Sequence, residues 1–152
     1  MKEPIVSRIL KFALYTAFTL GAICMATLPF MLETYNLMIR DSYYMEPGYR
    51  TFILIFLMAA AAQGLWIVLE MILLLRSIPK DPFVARNVRA LNRIGIVFFI
   101  MAAMFFCKCL LYVTILTLIS GFILIGCGLF AFTLAALIRQ AVIFREENDL
   151  TI

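Results

Sequence analysis

Four long apolar runs divide the chain, and short polar segments separate them. The runs cover about residues 9–32, 51–75, 94–113 and 118–138. Each contains about 20 residues or more, the length that an α-helix needs to cross the ~30 Å hydrocarbon core of a bilayer. The pattern therefore predicts one all-α membrane domain over residues 1–152, an integral membrane bundle of four antiparallel transmembrane helices.

The polar segments differ in their content of basic residues, and this difference predicts the topology. Ten of the twelve Lys and Arg residues that flank the runs lie in the amino-terminal stub, the loop 76–93 or the tail 139–152, and two lie in the loop 33–50. Cytoplasmic loops of membrane proteins are enriched in Lys and Arg. We therefore expect a multi-pass plasma-membrane protein with the N and C termini and the loop 76–93 in the cytoplasm, and with 33–50 as the outer loop.

Composition narrows the range of functions. The chain is 65% hydrophobic and 14% charged, and it contains no histidine, which is the usual general base and a common metal ligand. The four cysteines lie inside the apolar runs. We expect a non-enzymatic protein without a metal or cofactor. The net charge of +4 is explained by topology, so direct nucleic-acid binding is not predicted.

The cytoplasmic loop contains a second helix signal. Asp81 is a typical N-cap and Pro82 suits the first helical position. A helix from there places Arg86, Arg89 and Arg93 on one face, opposite apolar residues. This pattern predicts a short basic interfacial helix before the third span, suited to lying against anionic lipid headgroups. A simple positive-inside anchor is the alternative.

The third and fourth spans are predicted to form a hairpin, because two crossings leave only a few residues near Leu116–Gly121 for the outer turn. Small residues four apart are typical of close helix packing in lipid. Three such pairs occur: Ala17 and Gly21, Ala60 and Gly64, and Ala131 and Ala135.

Two ionisable residues lie inside the spans, which marks each as a candidate functional residue. Glu70 lies about 9 Å from the cytoplasmic edge and Lys108 about 22 Å, at 1.5 Å per residue, so a direct ion pair between them is not expected. Glu70 can reach Arg76 or an arginine of the basic loop helix. Lys108 can extend outward along its own aliphatic stem.

The same depth count places Gln63 and the cysteines close to Lys108. The simplest interpretation is a packing layer in which Gln63 bonds to Lys108 or to a backbone carbonyl. A small binding cavity is the alternative. A metal site is disfavoured, because Cys107 and Cys109 point to different sides of one helix.

Two motifs resemble a known family. They are DPFVARNVRALNRIG at residues 81–95 and REENDLTI at residues 145–152. The pair is similar to the uncharacterised four-helix membrane proteins of Gram-positive bacteria known as domain of unknown function 2975, over essentially the whole chain. Members of that family are often encoded beside a small helix-turn-helix repressor. The resemblance implies a bacterial plasma-membrane protein and one half of a membrane-protein and regulator pair.

The tail has the composition of a short docking peptide. It offers three acids and two apolar anchors: Glu146, Glu147, Asp149, Leu150 and Ile152. These residues could instead bind the basic loop helix, or be solvated. We expect a sensor or sequestering partner of a small cytosolic DNA-binding regulator. The alternative is a small transporter or immunity-type protein that uses Gln63 and Lys108. The bilayer is the other expected partner, and self-association is left open.

Overall fold

In the computed structural model, residues 5–38, 47–77 and 85–149 are described, apart from the side chains of 35–38, 47, 146, 148 and 149. These residues form four helices and contain no strand. The helices are α1 (Ile5–Met38), α2 (Pro47–Ser77), α3 (Ala85–Leu111) and α4 (Ile115–Asp149). Asp81 and Pro82 lie outside the described residues.

Each predicted span coincides with one of these helices, and all four are long and apolar enough to cross a membrane. Most helix ends extend beyond the apolar runs, because the flanking polar residues continue the helical backbone, whereas α3 ends at Leu111, two residues before the end of its run. The predicted interfacial helix is not a separate element here, since Ala85–Leu111 is one continuous helix. Its arginines occupy the first turns of α3.

The prediction for the α3–α4 turn was wrong in position. The connection consists of Tyr112, Val113 and Thr114, and the predicted turn at Leu116–Gly121 is helical. Thr114 is the N-cap residue that precedes α4, because its carbonyl oxygen accepts a hydrogen bond from the Leu118 amide at 3.1 Å. Gly121 is used for packing instead of turning: a Cβ there would lie 3.0 Å from the Phe106 ring.

The α3–α4 interface is the most extensive among the four described helices. Phenylalanine rings from each helix cover glycines of the other, which brings the two backbones close together. As residue numbers rise along α3, they fall along α4 in the contacting pairs. The pairs are Gly95 with Phe132, Phe99 with Gly128, and Phe106 with Gly121.

The helices contact each other in chain order. The main interfaces join α1 to α2, α2 to α3 and α3 to α4, and no other pair of described helices makes more than a marginal contact. The described part of the chain is therefore an open row of helices and not a closed bundle. The exposure of α1 agrees, because only one stripe is partly covered: Ser7, Lys11, Leu14, Phe18, Gly21, Met25, Leu28 and Leu32.

The small-residue pairs have mixed outcomes. Ala131 and Ala135 are buried against α3, as predicted. Gly21 also packs, since a Cβ there would lie 3.0 Å from Leu65. Ala17 is exposed and Gly64 has no neighbour within 4 Å of an added Cβ, so these two do not form close contacts among the described residues.

Candidate functional site

Glu70 is the most buried acid among the described residues, and Arg93 is its partner. Arg93 Nε lies 3.0 Å from Glu70 Oε1, and Nη2 donates to Oε2 at 3.1 Å. The side chain of Glu70 is 6% exposed and that of Arg93 is 55% exposed. The prediction that an arginine of the basic segment holds Glu70 is confirmed. The two-point contact joins α2 to α3 and neutralises the carboxylate.

Arg76, the other predicted partner of Glu70, binds elsewhere. Its Nε donates to the Tyr15 hydroxyl at 2.9 Å, and its Nη2 donates to the same oxygen. The guanidinium carbon lies 5.7 Å from the centre of the Tyr15 ring, a cation–π distance. Arg76 therefore joins α1 to α2. Sequence reasoning could not predict this contact, because nothing in Tyr15 itself specifies a partner 61 residues away.

Arg76, Arg93 and Arg139 define what we call the basic end of the row. Arg76 lies at the end of α2, Arg93 in the first turns of α3, and Arg139 ten residues before the end of α4. Arg76 and Arg93 each bridge to the preceding helix. In the α3–α4 contacts, residue numbers rise along α3 while they fall along α4. Arg139 therefore lies level with Val88, near the start of α3.

Lys108 is buried at the opposite end of α3. It is 5% exposed, and its Nζ donates to Thr114 Oγ1 at 2.8 Å and to Thr117 Oγ1 at 3.0 Å. The ammonium is directed toward the α3–α4 connection. That this is the outer side of the membrane stays a prediction. The ammonium does not continue to the surface, however, because two hydroxyls at the α3–α4 connection receive it. An ammonium has three donors, so these contacts use two of them.

Gln63 does not bond to Lys108 or to a backbone carbonyl, so that prediction was wrong. Its Nε2 lies 3.8 Å from Met104 Sδ, and its Oε1 is buried without a hydrogen-bond partner. Met104, one helical turn before Lys108, therefore contacts the Gln63 amide where the Lys108 ammonium was expected. The Lys108 ammonium turns away toward Thr114.

The predicted layer of cysteines with Gln63 and Lys108 is not formed. Cys24, Cys107 and Cys127 are exposed, so they do not converge on the interior. Over the described residues, no group of three or more His, Cys, Asp or Glu side chains lies close enough to hold a metal ion.

A cavity of about 220 Å³ lies between α2 and α3 beside this region. Its exposed lining is apolar, and Lys108 contributes its aliphatic stem. A charged solute would find no polar group directed at it there. The lining residues are Phe52, Ile55, Phe56, Ala59, Met104, Cys107, Lys108 and Leu111.

The predicted basic face divides into two parts. Arg86 and Arg89 are exposed, and neither forms a hydrogen bond or ion pair within the described part of the chain. Arg93 is also exposed in part but is turned toward Glu70. Opposite these arginines, Asn87 and Leu91 are buried. The free basic surface is therefore Arg86 and Arg89.

The tail is partly described. α4 continues to Asp149, and Glu147 is exposed and has an interaction partner. The side chains of Glu146 and Asp149, and residues Leu150 and Ile152, lie outside the described part. An internal contact between the tail and the basic face is not seen for Glu147, since neither Arg86 nor Arg89 is paired among the described residues.

Comparison with known proteins places the chain in a family without assigning it an activity. No curated protein and no solved structure gives a significant match. One family model matches residues 16–152, and its description is protein of unknown function DUF2975. The match includes both motifs at 81–95 and 145–152, and it covers most of the chain. The chain is therefore a member of the DUF2975 family.

Proposed function

We propose that the protein crosses the bacterial plasma membrane four times in alternating directions, with its basic end in the cytoplasm. The support is the distribution of Lys and Arg: ten of the twelve flanking bases lie next to the basic end of the helices. Both termini and the loop 76–93 are then cytoplasmic. The arginine bridges of Arg76 and Arg93 lie near the cytoplasmic headgroups.

We further propose that the cytoplasmic end is a docking site for a small cytosolic helix-turn-helix regulator, which the protein sequesters or controls. One observation carries this proposal: α4 continues as a helix to Asp149, ten residues beyond Arg139. At 1.5 Å per residue this segment is about 15 Å long. It therefore carries the tail acids away from the span on a preformed helix, at the same end of the row as the exposed Arg86 and Arg89.

The docking surface combines two kinds of recognition. Exposed charges of both signs at the rim favour fast, salt-sensitive association. The last residues, Leu150 and Ile152, supply apolar anchors of the type that short docking peptides use. The tail also carries three acids, Glu146, Glu147 and Asp149. They require a partner surface of positive charge, which a DNA-binding module has.

The proposal that the protein is not an enzyme is supported by the partners of the two buried ionisable groups, Glu70 and Lys108. Glu70 is neutralised by Arg93, and Lys108 donates to two threonine hydroxyls. Neither group is placed as a free acid or base beside a cavity. The protein is proposed to act through binding.

The experiment tests whether the full-length protein in membranes captures a small cytosolic helix-turn-helix regulator. We expect capture to be lost in the double variant Glu146→Lys and Glu147→Lys, and to weaken with increasing salt. Glu33→Lys is the matched control, because Glu33 is an exposed acid at the other end of α1. Full capture by the double variant at normal membrane levels would contradict the docking proposal.

A small transporter or immunity-type protein is the second candidate, and the cavity beside Lys108 favours it. The 220 Å³ cavity with its apolar lining is a place where a small apolar solute could bind. A transporter should lose its phenotype with Gln63→Leu or Lys108→Leu and keep it with the tail variant. Scoring both sets of variants in one strain separates the two functions.

A further inference from the structure

A groove of about 410 Å³ lies between α3 and α4 at the basic end, and neither proposed function uses it. It is lined by two residues of α3 and six of α4. They are Val88, Asn92, Phe132, Ala135, Ala136, Arg139, Gln140 and Ile143.

The groove exists because short side chains separate bulky ones on one face of α4. Ala136 lies one turn after Phe132 and one turn before Gln140, and Ile143 follows. Ala135 is 2% exposed and forms the floor against α3. The volume lies within the range of small-molecule sites, which is roughly 300–1,000 Å³.

The polar groups of the groove form an anion-binding set. Arg139 carries a positive charge, and Asn92 and Gln140 have amide donors. No acidic residue is among the lining residues, and Arg139 forms no ion pair with another described residue. A guanidinium with free donors is suited to two-point binding of a phosphate.

The remaining lining is apolar, which makes the groove amphipathic. Phe132 precedes Arg139 by seven residues, about 10 Å toward the middle of α4. A ligand that fills the groove therefore needs an anionic group at Arg139 and a hydrocarbon part near Phe132. A free inorganic anion would leave the apolar half unfilled.

We propose that this groove binds an anionic phospholipid, with its phosphate at Arg139, Asn92 and Gln140 and the start of one acyl chain against Phe132. Arg139 directly follows the apolar run 118–138, which places it near the depth of the headgroups when the helices span a bilayer. Basic pockets between spanning helices are a known type of headgroup site. The proposal needs the membrane position described above, but it does not depend on regulator docking.

The test is native mass spectrometry of the full chain in a nonionic detergent with dioleoyl phosphatidylglycerol and dioleoyl phosphatidylcholine. We expect preferential retention of phosphatidylglycerol. Arg139→Gln should weaken it about fivefold, the effect of one basic residue near an anionic surface. Ala136→Phe, which fills the groove, should weaken it at least as much, and Arg139→Lys should retain part of the binding.

The controls distinguish a built site from general attraction. Arg8→Gln removes another exposed charge, from the start of α1, and Ala22→Phe adds the same bulk to an exposed position of α1. Neither should change retention. Equal losses with Arg8→Gln, unchanged binding in Ala136→Phe, or displacement of the lipid by inorganic phosphate would each overturn the proposal. Regulator capture by Ala136→Phe, scored separately, reports on the docking function alone.

Discussion

Glu70 and Arg93 face each other across the α2–α3 interface with two parallel contacts, at 3.0 and 3.1 Å. The pair is asymmetric, because the carboxylate is almost completely buried and the guanidinium is about half exposed. Loss of the arginine therefore strands a charge in the interior. Loss of the acid leaves an arginine that can turn toward the headgroups.

This asymmetry predicts unequal effects of mutation on stability. Arg93→Met should lower the free energy of unfolding by about 3 kcal/mol, because it leaves Glu70 buried and unpaired. Glu70→Gln should cost about 1 kcal/mol, since the amide still accepts a hydrogen bond. Titration with SDS in mixed micelles, followed by circular dichroism, measures both.

The double variant Glu70→Met with Arg93→Met completes this test. It should be more stable than Arg93→Met alone, because no buried charge is left. If Glu70→Gln lowered stability more than Arg93→Met, the arginine and not the carboxylate would be the buried charge that needs its partner. The conclusion that Arg93 is the exposed member of the pair would then be wrong.

Thr114 and Thr117 should contribute to stability through their hydroxyl groups, which accept hydrogen bonds from the Lys108 ammonium. Thr114→Val together with Thr117→Val leaves the buried ammonium without its hydroxyl acceptors, so we expect a loss of about 2–3 kcal/mol in the free energy of unfolding. Thr133→Val is the matched control, because the Thr133 hydroxyl bonds only to the Leu129 carbonyl of its own helix. Equal effects of the control and the double variant would show that Lys108 does not depend on these hydroxyls.

Two neighbouring glycines of α4 should respond in opposite directions to alanine. A Cβ at Gly128 would lie 2.9 Å from the Phe99 ring and 3.3 Å from the Gly95 carbonyl oxygen, while one at Gly126 would meet nothing within 4 Å. Gly128→Ala should therefore destabilise the protein by about 1–3 kcal/mol through overpacking. Gly126→Ala should be neutral or stabilise it by up to about 1 kcal/mol through helix propensity.

The same unfolding titration measures these two variants. Tolerance of Gly128→Ala would mean that the Phe99 ring can move aside, and that the α3–α4 interface does not require close contact of the backbones at this point.

The topology is tested by accessibility labelling of single cysteines in intact cells. The four native cysteines are first replaced, because Cys24, Cys107 and Cys127 are exposed. An impermeant thiol reagent should label Tyr44→Cys directly and Ala85→Cys only after permeabilisation, since ten flanking bases lie on the side of Ala85. Direct labelling at the Ala85 position would reverse the proposed orientation.

The sequence alone determined four helices that are long and apolar enough to cross a membrane, because the length and apolarity of a run can be compared directly with the thickness of a bilayer. It also indicated that Glu70 pairs with an arginine, since an unpaired carboxylate inside a span has a high free-energy cost. It could not select Arg93 over Arg76. That choice depends on how far α2 and α3 are shifted along each other, and packing sets this shift.

Tertiary structure decided the remaining features. The row of helices stays open because α1 and α4 each bury a single stripe, which hydropathy cannot distinguish from a lipid-facing one. Lys108 turned to Thr114 and Thr117, and not to Gln63, because the phenylalanine and glycine contacts bring the start of α4 against the end of α3. The groove at Arg139 arises in the same way, from the side-chain sizes of two helices that only packing places side by side.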